Sequence, residues 1–515
     1  MTATPAGADV VVVGAGSAGC ALARRLVERG LRVVVLEAGG EDTNPDIGTP
    51  GRLAHLWFAE EDWAYHTVAQ PHAGHRRLHW PRGRVLGGSS ALNGMIWARG
   101  AAADYDHWAY LGNDGWSWTD VLPVHRRMED LDAVSPLRGT GGPIHVMSQY
   151  RPDAIFESCI KAAQEIGVGI NPDYNSGELD GVSQTQLTIR DGQRQSAAVG
   201  YLRPILGHPG LTVVTRAHAR RLLFTRDRCT GVEWKRDGLT HTTHADVEVI
   251  VSAGTIESPR LLMLSGIGDA AELRRHDIDV RVHLPGVGRN LHDHLLSPVI
   301  FSTARQVGRS PDLSPMQSHL FWRTRSGLPV PDVQALHFPV PMYQPGMSGP
   351  SDGFTLQAGL VRPVSRGRIS LVGDDPHAGL DIDPAALACA QDVDALVEAV
   401  ILCREMGAGS ALAGEWGARE VYPGSTVRTP DDLRAYVRAT AGTFHHQVGT
   451  CKMGADDQAV VDARLRVRGV RGLRVADASI MPAVTTANTH APAVLIGELA
   501  ADFVTAGQHT GQEQS

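Results

Sequence analysis

The chain has 515 residues, 43% apolar and 20% charged, and its 48 basic and 56 acidic side chains leave a formal charge of −8 and a pI near 6.3. That length exceeds one ordinary hydrophobic core, so two domains or one large elaborated fold are expected of a globular protein of this composition. The acidic balance and the lack of a long Lys/Arg run exclude a general nucleic-acid binder and a partner of acidic membranes, while naming no substrate.

At the N-terminal end, MTATPAGADVVVVGAGSAG has no basic segment and only a short apolar run before its glycines. Neither a signal peptide nor a membrane span is predicted, and the cytoplasm is the expected location. Val10 to Val13 read as a buried parallel strand, Ala21 to Glu28 as a helix with Leu22 and Leu26 on one face and Gly30 past its end, and Val33 to Leu36 as a second strand. Between strand and helix, Gly14, Gly16 and Gly19 fit the G-x-G-x-x-G turn that lets a backbone approach a pyrophosphate at a helix N-terminus. Glu37, at the end of the second strand, is placed to accept hydrogen bonds from an adenosine ribose. The turn by itself does not separate FAD from NAD.

Residues Gly39 to Gly83 are Gly-, Pro- and His-rich and read as loop. The glycines and serines of GRVLGGSSALNGMIWARG, Gly83 to Gly100, offer free backbone N–H groups at close approach. Strands return from Tyr201 to Gly254, where LTVVTRAHARRLLF and TGVEWKR suggest a hairpin or meander and ADVEVIVSAG another buried strand. Residues from about Leu295 to Arg438 alternate strand-like pieces with Pro-rich loops. Near the end, GLRVADASIMP reads as strand then turn. APAVLIGELAADFV reads as a helix starting near Pro492, with Val494, Leu495, Leu499 and Phe503 on one side, and GQHTGQEQS as a polar tail prone to fraying.

The stretch GTFHHQVGTCKMG, Gly442 to Gly454, holds His445 and His446 beside Cys451 and Lys452. Adjacent histidines point apart in a strand, and no CxxC or HxxxH spacing supports a metal site here, at His490 or at the HDH of His292 to His294, so no metal is expected. The six cysteines, Cys20, Cys159, Cys229, Cys389, Cys403 and Cys451, are scattered and fit a reduced setting. An imidazole with a pKa near neutrality can instead serve as a general base.

Together, GRVLGGSSALNGMIWARG, GTIESPRLLMLSGIG, HHQVGTCKMG and LRVADASIMPAVTTANTHAP resemble, in order, the motifs of the glucose–methanol–choline oxidoreductase family, over about residues 8 to 503. The resemblance implies an α/β fold, with a FAD-binding Rossmann-type domain (residues 1–155, 193–300 and 440–515) and an interleaved substrate domain on a mixed or antiparallel sheet (156–192 and 301–439). It implies that FAD meets Gly14, Gly16, Ser17, Ala18, Gly19, Glu37 and Ala38, the loop residues Arg84, Gly87, Gly88, Ser89, Asn93, Gly94 and Met95, and Ala219, Asp477, Ala478 and Ala491. Leu92 stands where some members carry a histidine bonded to FAD, so the flavin is expected to be non-covalent.

The resemblance further places His446 as the proton-accepting base and His490 as its oxygen-orienting partner in front of the flavin, with the two roles open to exchange. His445 is read as packing, Cys451 as no nucleophile, Lys452 as a solvated or structural charge, and Gln447 stands where members usually have proline. The N-terminus of the last helix is expected to point at the flavin, favouring its anionic reduced form. The implied reaction is oxidation of an alcohol CH–OH group to an aldehyde or ketone by hydride transfer to the flavin, with O2 or another electron acceptor. LLSPVIFSTAR, after the HDH, lacks the acid of choline-specific members, so an uncharged primary alcohol is the expected substrate. Alternative readings are a hydroxynitrile lyase-like non-redox enzyme, a light-driven decarboxylase and a non-catalytic flavoprotein.

Overall fold

In the computed structural model the described residues are 7–512 without His377, and of residues 508–512 only the backbone is described. The two ends of the chain, with the N-terminal residues 1–6 and the last three of the expected tail, lie outside the described residues.

A seven-stranded sheet organises the first unit. Strand Gly7–Val13 lies between Val33–Leu36 and Leu239–Val251, parallel to both; Leu211–Val214 continues the parallel set at one edge, and Leu473–Val475 pairs alongside Leu239–Val251. Val10–Val13 and Val33–Leu36 are all solvent-shielded or nearly so, as the continuous valine runs predict. On the other side, His218–Thr225, Arg228–Arg236 and Leu239–Val251 form the expected meander, but Leu211–Val214 leaves it for the opposite edge.

The turn after the first strand feeds helix Ser17–Glu28, which starts four residues earlier than its apolar spacing suggests. Gly19 explains the earlier start: a Cβ there would lie 2.0 Å from the Gly14 carbonyl, so this glycine packs the helix onto the turn. Against this helix lies the C-terminal one, His490–Gln512, which begins at His490 itself and runs into the stretch read as a frayed tail. At Gly497 a Cβ would sit 2.2 Å from the Ala18 carbonyl, so the two helices pack backbone to backbone. The next residue, Glu498, is fully buried and accepts from Arg25 at 2.9 Å, Arg127 at 2.8 Å and the Tyr201 hydroxyl at 2.7 Å.

The second unit is an antiparallel sheet ordered Arg419–Tyr422, Leu295–Ser302, Gly353–Leu360, Val333–Phe338, Ser318–Trp322, Gly181–Gln184, with Gly442–Thr443 also pairing Leu295–Ser302. The expected division at residue 300 therefore falls inside a strand that lies wholly in this sheet. Helices Ala154–Glu165, Ala390–Ala408 and Pro430–Thr440 cover one face and share an apolar cluster with it; the other face looks toward the first unit. Among the described residues no helix is long and apolar enough to cross a membrane.

Eight histidines, His125, His292, His294, His319, His337, His445, His446 and His490, are held below their ordinary pKa, in each case by burial first. Below about pH 6.5 the unfolded chain protonates them and the native chain does not. Native stability present above that pH is thus lost as pH falls, by up to about 1.4 kcal/mol per pH unit for each group. Burial raises the carboxyls of Glu37, Asp104, Asp293 and Asp477, which act in the opposite sense but are fewer. The melting temperature should fall steeply from about pH 6.5 to pH 5; a constant value across that interval would show that these imidazoles do not govern stability.

Candidate active site

One cavity of about 940 Å³ runs from the dinucleotide turn to the second sheet, at the upper end of the range for ligand pockets. Its dinucleotide end is a backbone cradle. Gly14 (φ 101°) lies so close to the sheet that a Cβ would meet the Ser252 carbonyl at 2.4 Å, and a Cβ on Gly88 (φ 53°) would meet the Gly16 Cα at 2.7 Å. Neither helix Ser17–Glu28 nor helix Gly254–Leu264 is capped by the side chain of its own N-cap residue; these starts and that of His490–Gln512 all border the cavity. Three positive helix ends around a glycine cradle fit an anionic pyrophosphate. Glu37 borders the same end, holding the N–H groups of Ala15 and Gly39 at 2.8 Å each.

Gly14, Gly16, Ser17, Ala18, Glu37, Ala38, Gly88, Ser89, Asn93, Gly94, Met95, Ala219, Asp477, Ala478, His446 and His490 all line this cavity. Gly19, Arg84, Gly87 and Ala491 do not. Gly19 serves helix packing, and Gly87 (φ 90°) donates to the Ala15 carbonyl at 2.8 Å, tying the two glycine loops together. Arg84 stacks over Trp63, 5.4 Å from its ring centre, and Ala491 is buried in the first turn of the last helix. Asp477 receives Gly254 N at 2.9 Å, Ser258 Oγ at 2.5 Å and Ser479 N at 2.8 Å, so its carboxylate fixes the Gly254 helix start. Leu92 on the wall offers no atom for a covalent link to a flavin.

The glycine-rich loop is also held from behind. Arg194 is buried and bonds only main-chain and amide oxygens: Ile47 O at 2.8 Å, Asn93 O at 2.6 Å and Asn93 Oδ1 at 2.7 Å. Burial lowers its pKa to about 9. Met95, next to Gly94, takes φ 62°, a conformation unusual for a side-chain-bearing residue, and is fixed by Asn93 Oδ1 on its N–H and by Thr188 N–H on its carbonyl.

At the other end, residues 292–294 run beside 444–448: Phe444 N donates to the His294 carbonyl at 2.9 Å and Val448 N to the His292 carbonyl at 3.0 Å. This ladder carries Asp293 under the histidine pair. Asp293 accepts from His446 N at 2.7 Å, from Gln447 Nε2 at 3.0 Å and from the Thr443 hydroxyl. Burial pushes its carboxyl up to about 6, against those hydrogen bonds and the facing Arg82. Gln447 thereby closes by hydrogen bonds a loop that proline would stiffen covalently. His445 takes φ 66° and turns its ring to Trp57, while its carbonyl accepts from Arg82 at 2.7 Å.

His446 and His490 are not partners. His446 Nε2 faces the Asn488 amide nitrogen at 3.2 Å, and its Nδ1 faces His294 Nδ1 at 3.0 Å. His490 Nδ1 instead meets Ser17 Oγ at 3.0 Å, with Trp97 edge-on to its ring. The expected meeting of the two histidines is therefore corrected. The helix begins at His490 and directs that residue to the dinucleotide turn, while Asn488, two residues earlier, reaches His446. An amide nitrogen only donates, so His446 Nε2 accepts, and its Nδ1–H donates to His294. Burial, then the neighbouring histidines and Arg82, holds His446 well below the ordinary histidine pKa; His490 is lowered to about 4 by burial, with Arg194 adding to it. Both are neutral at pH 7.

The HDH motif is consumed by this scaffold, with His292 between Asn290 O (2.6 Å) and Val484 N (2.9 Å), and no group of three or more His, Cys, Asp or Glu among the described residues could hold a metal ion. Burial pushes the Cys451 thiol well above its ordinary range, and Lys452 pairs with Asp456 at 2.8 Å. Sequence reading missed Asn488, Asp293 and His294. An acid between two histidines, and an asparagine two residues from the chosen one, were the available signals.

The sequence model described as GMC oxidoreductase matches residues 8–296 in its N-terminal form and 363–497 in its C-terminal form. Curated relatives include an uncharacterised GMC-type oxidoreductase of Mycobacterium bovis, 40% identical over 96% of this chain and 99% of its own. Another is an oxygen-dependent choline dehydrogenase of Sinorhizobium medicae, 39% identical over 96% and 95%. Among solved structures, pyridoxine 4-oxidase from "Mesorbium loti" superposes with a TM-score of 0.92 at 34% identity, over 96% of this chain and 98% of that one.

Two measurements test the site. Gly14→Ala should yield protein with little or no bound flavin, since both φ and space forbid the methyl group; full flavin content would refute the cradle. Activity should decline as pH drops through about 6, when Asp293 takes a proton and loosens its hold on His446 N–H, Gln447 and Thr443. Asp293→Asn should lower activity and remove that limb, whereas an unchanged pH profile would separate Asp293 from the chemistry.

Proposed function

We propose that this chain, which belongs to the GMC oxidoreductase family and binds FAD, holds that FAD without a covalent link and oxidises the CH–OH group of an uncharged primary alcohol to an aldehyde. One observation carries the reading: a neutral imidazole whose acceptor nitrogen meets a donor amide at 3.2 Å stands in the same cavity as the dinucleotide cradle. Bound FAD supplies the acceptor for the hydride leaving the carbinol carbon.

The residues divide the remaining work. His446 Nε2 accepts the hydroxyl proton, its orientation and tautomer fixed by His294 and its main chain by Asp293. Asn488 Nδ2–H turns from His446 to the substrate oxygen and stabilises its developing negative charge. His490 works on the cofactor side with Ser17, at the positive end of the last helix. The substrate wall is apolar, with Leu296, Met316, Leu336, Phe338 and Phe444. The carboxylates that line the cavity, Glu37, Glu257 and Asp477, belong to the dinucleotide end, so a cationic substrate such as choline finds no counter-charge at the wall. Arg76, Arg77 and Arg82 border the cavity, and each donates to a main-chain carbonyl. FAD held there would need O2 or another electron acceptor for a further turnover.

Anaerobic mixing with a panel of alcohols should bleach the oxidised-flavin spectrum with uncharged primary alcohols and not with choline. His446→Ala should slow that bleaching about 10²–10⁴-fold with FAD retained, and Asn488→Ala about 10²–10³-fold. His490→Ala should weaken FAD binding more than it slows proton removal. A protein whose flavin no alcohol reduces, but which cleaves a cyanohydrin, would be the lyase-like alternative; turnover untouched by His446→Ala would end the base assignment.

A further inference from the structure

Where the strands Leu295–Ser302, Gly353–Leu360 and Val333–Phe338 line the cavity, Gln357 is the one polar side chain among Leu296, Leu336 and Phe338. Gln357, in Gly353–Leu360, has Leu336 opposite it on one neighbouring strand and Pro298 on the other. Leu296, Leu336, Phe338 and Met342 line the cavity around it. Gln357 itself lines the cavity and is 6% exposed, yet its amide is almost without partners: Oε1 has none, and Nε2 meets only the Met342 sulfur, at 3.5 Å. Sulfur is a weak acceptor.

Other glutamines of the region differ. Gln344 Nε2 gives a full hydrogen bond to the Thr440 carbonyl at 2.7 Å; Gln334 does not line the cavity, and although its Oε1 also lacks a partner, its Nε2 is tied to His319 at 3.1 Å. A buried amide in an apolar wall is costly unless a partner arrives, and leucine or methionine would fill the same place at no such cost. The partner that suits this amide is a hydroxyl group, because a hydroxyl both donates and accepts and so satisfies either end of the amide.

We propose that Gln357 is a specificity-determining residue: it takes the hydrogen bond of a second hydroxyl, carried by the alcohol substrate at the end remote from the carbon being oxidised. The inference rests on alcohol oxidation as the reaction of this site. It narrows the substrate to an uncharged alcohol with a further hydroxyl, such as a hydroxyaryl carbinol or a diol. The preference arises because an unhydroxylated analogue leaves the amide buried and unpaired, a larger handicap than the loss of one contact.

The test compares hydroxybenzyl alcohols, meta and para, with methylbenzyl alcohols of nearly the same shape. Wild-type holoenzyme should favour the best hydroxylated probe by about tenfold or more in kcat/KM for flavin reduction. Gln357→Leu and the more flexible Gln357→Met, each checked for retained flavin, should erase that preference while keeping the rate on the methyl compounds. Equal ratios in wild type and both variants would overturn the assignment. A parallel titration of oxidised holoenzyme with the corresponding benzaldehydes needs no turnover. If no alcohol reduces the flavin, the oxidation reading fails by itself, and the aldehyde affinities still decide Gln357: tighter hydroxyaldehyde binding that vanishes in both variants supports it, and identical affinities refute it.

Discussion

The packing of helix Ser17–Glu28 against helix His490–Gln512 is the constraint on which the site depends. Gly497 allows main chain to approach main chain at Ala18, and Glu498, buried between Arg25, Arg127 and the Tyr201 hydroxyl, locks that approach. Removing one partner of such a network would strand buried charge at a cost of about 3–5 kcal/mol. The same packing places His490 on Ser17 and, through the turn before the helix, Asn488 on His446. The distance between two helices thus fixes both the cofactor side and the substrate side of one cavity.

The second sheet enters this arrangement through its Leu295–Ser302 strand. The residues just before that strand run beside the loop that follows Gly442–Thr443, which brings Asp293 and His294 to His446. One acid holds the loop's N–H, amide and hydroxyl groups at once, so the loop is ordered by polar bonds where the family more often uses a proline ring. The non-glycine residues Met95 and His445, both lining the cavity, sit at positive φ, held there by specific hydrogen bonds. Strain retained beside a reactive centre fits a site whose geometry is imposed by its surroundings.

Much of this was legible in the residues. The strand–turn–helix at Gly14 to Glu37 is local: glycine spacing, valine runs and a terminal acid each act over a few residues, and the structure follows them. His446 was legible from its loop motif. Asn488 was not, because choosing between it and His490 requires knowing where the last helix starts, and Pro492 permits a start one or two residues to either side. Asp293 and His294 were hidden for another reason: they meet His446 across some 150 residues of chain, through a pairing that no short-range pattern announces. The strand at Leu295–Ser302 blurred the expected division for the same reason, since its membership is set by partners far along the chain. Arg194, bound only to carbonyl and amide oxygens, leaves no mark of its role in the sequence at all.

The contact between Ser17 and His490 joins residues 473 positions apart. A ribosome adding about 5–20 residues per second completes the glycine cradle roughly half a minute to a minute and a half before it makes the helix that closes it. For most of that interval the first half of the site exists without its counter-helix and without His446. Cofactor capture therefore belongs to the last stage of biogenesis, and a cell short of flavin would accumulate a full-length chain with three positive helix ends facing an unfilled centre rather than a stalled early intermediate.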